Sequence, residues 1–196
     1  MKIFLDTATS DFWEWKVSSQ DKRYAAAQPH LVGLSAVNDR DISCCSRITP
    51  PDGVVISPGA AEYHGITNEM VKDGRLLAEV LEADGWVERL NGASLIVAHN
   101  AAYHRRVLEL SFKRAGFALS GSVPWFCTRE MSAPIVQVER QKNGGWKRPT
   151  LEEAASFFEP GRALAKMDSE HPLANTEIEP WVAVQRIYEG ITGRGG

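Results

Sequence analysis

The sequence predicts an α/β fold, a mixed β-sheet flanked by α-helices, in a single domain spanning residues 1–196. Three observations carry this. Short apolar runs of strand length lie at residues 2–6, 31–37, 42–48 and 94–98. Apolar residues recur at helical spacing between and after the later runs. Strands come first and helices are interleaved afterwards, which points to one sheet covered by helices.

Lys2-Ile3-Phe4-Leu5-Asp6 reads as a brief buried strand that delivers Asp6 to its carboxyl end. Residues 11–28 form a long link carrying Phe12, Trp13, Trp15 and Tyr24. Such aromatics either stack on unpaired bases or pack on the domain or a partner, and packing is the commoner fate. Leu31–Val37 and Ile42–Ile48 read as a hairpin around Asn38-Asp39-Arg40. Pro50-Pro51-Asp52-Gly53 and Ser57-Pro58-Gly59 punctuate a loop, after which Leu77, Val80, Leu81, Val87 and Leu90 mark one helix stopping near Asn91-Gly92. Ser94–Ala98 is again strand-like, Tyr103, Val107 and Leu110 share one face of a helix ending near Gly116, and Val123–Cys127 is a further strand. Thr150 and Glu153 make a capping box for a helix over Leu151–Phe158. Pro180 suits the first turn of a last helix reaching about Tyr188, because its missing amide hydrogen costs nothing there.

Composition narrows the function classes. At 196 residues and 43% hydrophobic content the chain can bury one sizeable core. No apolar run approaches the ~20 residues that span a bilayer, so neither a membrane site nor a membrane partner is expected. Cys44, Cys45 and Cys127 are too few and too unevenly placed for a disulfide framework, which suits a reducing, cytoplasmic setting. A net charge of −3 does not advertise nucleic-acid binding; Arg140, Lys142, Lys147 and Arg148 gather around the Asn143-Gly144-Gly145 turn, a pattern most simply read as a solvated loop.

Three segments carry chemistry: Phe4-Leu5-Asp6-Thr7-Ala8-Thr9, Val97-Ala98-His99-Asn100-Ala101-Ala102-Tyr103-His104, and His171-Pro172-Leu173-Ala174-Asn175-Thr176-Glu177. In this order they resemble the three motifs of the DEDDh 3′-5′ exonucleases, the family of the proofreading subunit of bacterial DNA polymerase III and of ribonuclease T. His64-Gly65-Ile66-Thr67-Asn68-Glu69-Met70-Val71, Trp125-Phe126-Cys127-Thr128 and Pro149-Thr150-Leu151-Glu152-Glu153-Ala154 extend the resemblance over almost the whole chain. It implies a ribonuclease H-like fold, magnesium or manganese as cofactor, and the 3′ end of single-stranded DNA or RNA as partner, with a second copy of the chain or a polymerase-type subunit also open.

Phosphodiester hydrolysis of this kind uses two divalent ions roughly 3.5–4 Å apart, held by carboxylates. The resemblance places the family's first Asp on Asp6 and its general-base His on His171. Its Glu falls on Ala8, its second-motif Asp on His104 and its last Asp on Thr176. One carboxylate cannot compensate two divalent ions, so the expectation is an exonuclease-like domain that is weak or inactive with magnesium.

Two alternatives stay open. A one-residue slip in the third motif would put Glu177 in the ligand position, since Pro180 delays the last helix. Asp6, His104 and His171 could instead converge on a transition metal. The candidate site is therefore Asp6 and His171 as catalytic residues, Asp6, His104 and Glu177 as metal ligands, and Thr7, Ala8, Thr9 and Tyr103 against the terminal nucleotide. His99 and Asn100 are expected to shape the turn into the following helix.

Overall fold

The computed structural model describes residues 1–40, 42–165 and 177–193. Strand β1 (Lys2–Thr9) leads through α1 (Tyr24–Ala27) into β2 (Leu31–Asn38) and β3 (Ser43–Arg47). Helices α2 (Pro58–His64), α3 (Asn68–Val71), α4 (Leu77–Ala83) and α5 (Trp86–Asn91) then return the chain to β4 (Leu95–Ala98). Helix α6 (Ala101–Arg114), β5 (Trp125–Cys127), α7 (Thr128–Val136), α8 (Leu151–Phe158), β6 (Ala163–Leu164), β7 (Glu177–Ile178) and α9 (Pro180–Thr192) complete the described chain.

Among the described residues a five-stranded sheet runs β3-β2-β1-β4-β5, with β1 antiparallel to β2 and parallel to β4. This is the mixed sheet with flanking helices that the sequence predicts. Strand β1 alternates between two apolar layers. Ile3 and Leu5 pack with Ile96, Val107, Leu108 and Phe112 against α6. Phe4 and Ala8 pack with Val97, Ile66, Trp181 and Val184 on the opposite side. The central strand is thus covered on both faces, and Asp6 sits near the end where β1 and β4 point together.

The hairpin is as read: Asn38 Oδ1 accepts from the amides of Arg40 and Ile42 and closes the turn. The single helix expected over residues 77–90 is instead two, because Gly85 takes a left-handed conformation (φ 69°). Hydrophobic spacing continued across the break, and the anchor that fixes it is tertiary. Asp84 at the break receives both Arg75 guanidinium nitrogens (2.7 and 2.8 Å) and the Ser46 hydroxyl (2.6 Å), while Trp86 Nε1 donates to the same Ser46 oxygen. Helices α2 and α7 fall where no helix is read from the sequence. Ser57 caps α2, with Pro58 in its first turn and left-handed Gly65 at its end, and α7 tolerates Pro134 inside it.

The Thr150–Glu153 capping box forms as predicted, and Pro180 opens α9. The 11–28 link is anchored at a few points: Trp13 and Gln28 are buried and Arg114 donates to the carbonyls of Ala25, Gln28 and Pro29, while Phe12 and Trp15 are exposed.

Candidate functional site

Asp6, Thr7, Thr9, Tyr103 and His104 come together where the carboxyl end of β1 meets the first turn of α6. The turn into α6 is built by Asn100, a non-glycine residue with φ 73°, whose carbonyl accepts from the His104 amide. His99 supports that turn from below, its Nε2 donating to the Pro149 carbonyl (3.0 Å) and its Nδ1 meeting the Thr128 hydroxyl (3.1 Å). Burial lowers the His99 imidazole to about 4.

His104 is 5% exposed, and both ring nitrogens are engaged. Nε2 lies 2.8 Å from the His99 carbonyl, which can only accept, so Nε2 carries the hydrogen. Nδ1 therefore offers its lone pair to the Thr7 hydroxyl at 2.8 Å. Burial lowers this imidazole to about 4 as well, with the His99 carbonyl opposing the shift. At neutral pH His104 is an uncharged residue fixed as the Nε2–H tautomer.

The Asp6 Oδ1 to His104 Nε2 separation is 3.5 Å, yet it is not an ion pair. Burial pushes the Asp6 carboxyl up to about 7, restrained by the Thr7 amide and by His64. An ion pair would lower the acid and raise the imidazole; here each moves the other way, so desolvation outweighs their attraction. Asp6 consequently holds its proton to a higher pH than an ordinary aspartate.

The hydroxyls assigned to substrate are turned inward. Thr7 is bound to His104, and Thr9 Oγ1 donates to the Asp11 carbonyl (2.8 Å), so the Tyr103 hydroxyl 3.0 Å away must donate to Thr9. Ala8 is 2% exposed, and its methyl belongs to the apolar layer with Trp181 and Val184. These side chains pack behind Asp6; the substrate contacts expected of Thr7, Ala8 and Thr9 would have to come from backbone atoms. Tyr103 keeps a half-buried ring packed edge-on to His104 (5.2 Å) and to Trp13 (6.1 Å).

Other neighbours are assigned no site role by the sequence, although His64 opens a segment that extends the resemblance. His64 Nε2 donates to the Thr9 carbonyl (3.1 Å) and its Nδ1 accepts from the Ile66 amide, pinning the end of β1 to α2. Exposed Tyr63 lies within electrostatic reach of both Asp6 and Arg129. His64-Gly65 could be read as a helix end; nothing in the sequence ties Arg129 to Tyr63, because that proximity depends on how α7 leaves β5.

The described residues alone do not fit a pair of magnesium ions. Among the described residues no group of three His, Cys, Asp or Glu side chains converges on a metal position. His104 has its one lone pair directed at Thr7. His171 and Thr176 lie outside the described residues. Glu177 has its backbone paired with Ala163 in the short β6–β7 ladder ahead of α9, so it precedes the last helix rather than sitting in its first turn.

No known sequence family matches the chain, and no curated protein matches it. Solved structures do. Exonuclease X in complex with 5′ overhanging duplex DNA superposes with a TM-score of 0.61 at 18% identity, over 100% of this chain and 93% of that one. The fold is that of the ribonuclease H-like exonucleases. The nuclease domain of 3′hExo, a DEDDh family member bound to rAMP, matches with a TM-score of 0.61 at 11% identity, covering 99% and 92% of the two chains. E. coli exonuclease I in complex with a dT13 oligonucleotide gives 0.63 at 15% identity, covering 98% of this chain and 42% of its own. At these identities the likeness establishes architecture; the chemistry rests on the residues above.

Proposed function

We propose that this chain binds the 3′ end of single-stranded DNA or RNA in an exonuclease-type cleft and is weak or inactive as a magnesium-dependent nuclease. The observation that carries this reading is the state of His104. At the position where the resemblance calls for a metal-ligating aspartate stands a neutral imidazole, locked between Thr7 and the His99 carbonyl. Ala8, at the position of the glutamate, is sealed into the apolar layer.

Asp6 suits a binding role under these conditions. A carboxyl whose pKa is raised by burial carries less negative charge near neutral pH than an ordinary aspartate, and so repels a nucleotide phosphate less. The neighbours' ligands fit the same chemistry, being overhanging DNA, rAMP and an oligonucleotide.

Calorimetric titration with magnesium, manganese and zinc, beside anisotropy with oligonucleotides bearing a free or a blocked 3′ hydroxyl, tests the reading. The expected result is preference for the free end without stoichiometric metal. Stoichiometric tight binding of a metal that Asp6→Ala removes would favour a rebuilt catalytic site from Asp6, His104 and Glu177 or His171.

A further inference from the structure

The 11–28 link and α6 enclose a groove of about 530 Å³ that the cleft at Asp6 does not use. Its wall is Trp13, Trp15 and Tyr24 on one side and Arg106, Glu109 and Lys113 on the other. Trp13 is buried and acts as the base of the aromatic set, with ring centroids 6.3 Å from Trp15 and 6.1 Å from Tyr24. Trp15 is 62% exposed, so one large aromatic side chain is held at the surface by neighbours packed beneath it. Arg106 lies 5.3 Å from the Trp15 ring centroid. Arg106 and Lys113 are seven residues apart on α6, hence on one face, and Glu109 between them is tied to Arg105 at 2.8 Å. Two cations therefore face an aromatic wall, and the carboxylate among them is already paired.

We infer that this groove is a strand-tracking subsite for single-stranded nucleic acid, with Trp15 stacking on a base and Arg106 and Lys113 contacting phosphates. Aromatic faces with aligned cations are the sequence-tolerant means of holding unpaired strands. The groove also adjoins the Asp6 cleft: Tyr103 touches Trp13 on one side and His104 on the other. From Tyr103 to Lys113 α6 rises roughly 15 Å, a path along which a strand leads away from its 3′ end. The direction of the strand rests on the 3′-end reading, whereas the strand contact does not.

Circular single-stranded DNA, which has no end, separates the two. Wild-type protein is expected to bind it at low salt. Trp15→Ala and Arg106→Ala, both at exposed positions, each weaken binding about tenfold. Trp15→Phe retains most of the affinity, and Arg106→Ala lowers the salt dependence by about one phosphate contact. Equal affinity of wild type and both alanine variants for circular DNA, or no binding to it, overturns the groove; linear oligonucleotide bound normally in that case leaves the 3′-end reading standing. Groove-dependent binding with no preference for a free 3′ end supports the groove and overturns that reading. Displacement of the DNA by polyglutamate at matched charge overturns the proposal in favour of an acidic protein segment.

Discussion

At the scale of single residues, desolvation governs Asp6, His99 and His104. Asp6 has an unfolded value of 3.8 and a folded value of about 7. Between these the unfolded chain releases a proton that the folded chain keeps, so stability is highest below pH 4 for this group and falls as pH rises through 7. The slope approaches ~1.4 kcal/mol per pH unit at most. Urea denaturation at pH 5 and pH 8 should show the loss, and Asp6→Asn should flatten it; parallel curves for the two proteins would count against the buried acid. Removing the imidazole with His104→Ala leaves the His99 carbonyl and Thr7 hydroxyl without partners and should cost about 2–4 kcal/mol. Ala8→Glu forces a carboxyl into the layer of Trp181 and Val184, so it should lower the melting temperature and restore no magnesium-dependent cleavage. The sequence placed Asp6 and His104 side by side through motif order alone. What it could not supply was the inward turn of Thr7 and Thr9, since a hydroxyl serves substrate or a buried histidine equally well until the tautomer is known.

At the scale of elements, strands and caps were legible where the signal is local. The Asn38 turn, the Thr150–Glu153 box and the Pro180 helix start depend on neighbours within a few residues. The α4–α5 break was not legible, because Asp84 is fixed by Arg75 and by Ser46 on a distant strand. The 11–28 link shows the same dependence on distant contacts, being held to α6 by Arg114. Arg114→Ala should release it, and trypsin cleavage after Lys22 or Arg23 should accelerate while the sheet core resists; unchanged cleavage would place the anchor elsewhere, with Trp13 and Tyr24. Close packing of α8 on α9 depends on Gly190, where a methyl group would collide with the Phe158 ring. Gly190→Ala should therefore destabilise by about 1–3 kcal/mol despite its better helix propensity, as measured by thermal unfolding.

At the scale of the whole molecule, the chain has the fold of solved exonuclease structures over nearly all its length, and the proposal is that the chemistry at its centre differs from theirs. Fold and active-site carboxylates answer to different constraints: the first is set by two apolar layers on β1, the second by a few positions that can change without disturbing those layers. Ala8 and His104 illustrate this, each now serving the packing it stands in. No helix among the described residues is long and apolar enough to cross a membrane. The direct test of the central claim is a single experiment with a labelled single-stranded oligonucleotide in magnesium, following binding and release of the 3′ nucleotide together. Binding with no detectable cleavage is predicted, and Asp6→Ala should alter affinity alone. Sustained nucleotide release that Asp6→Ala abolishes would contradict the account.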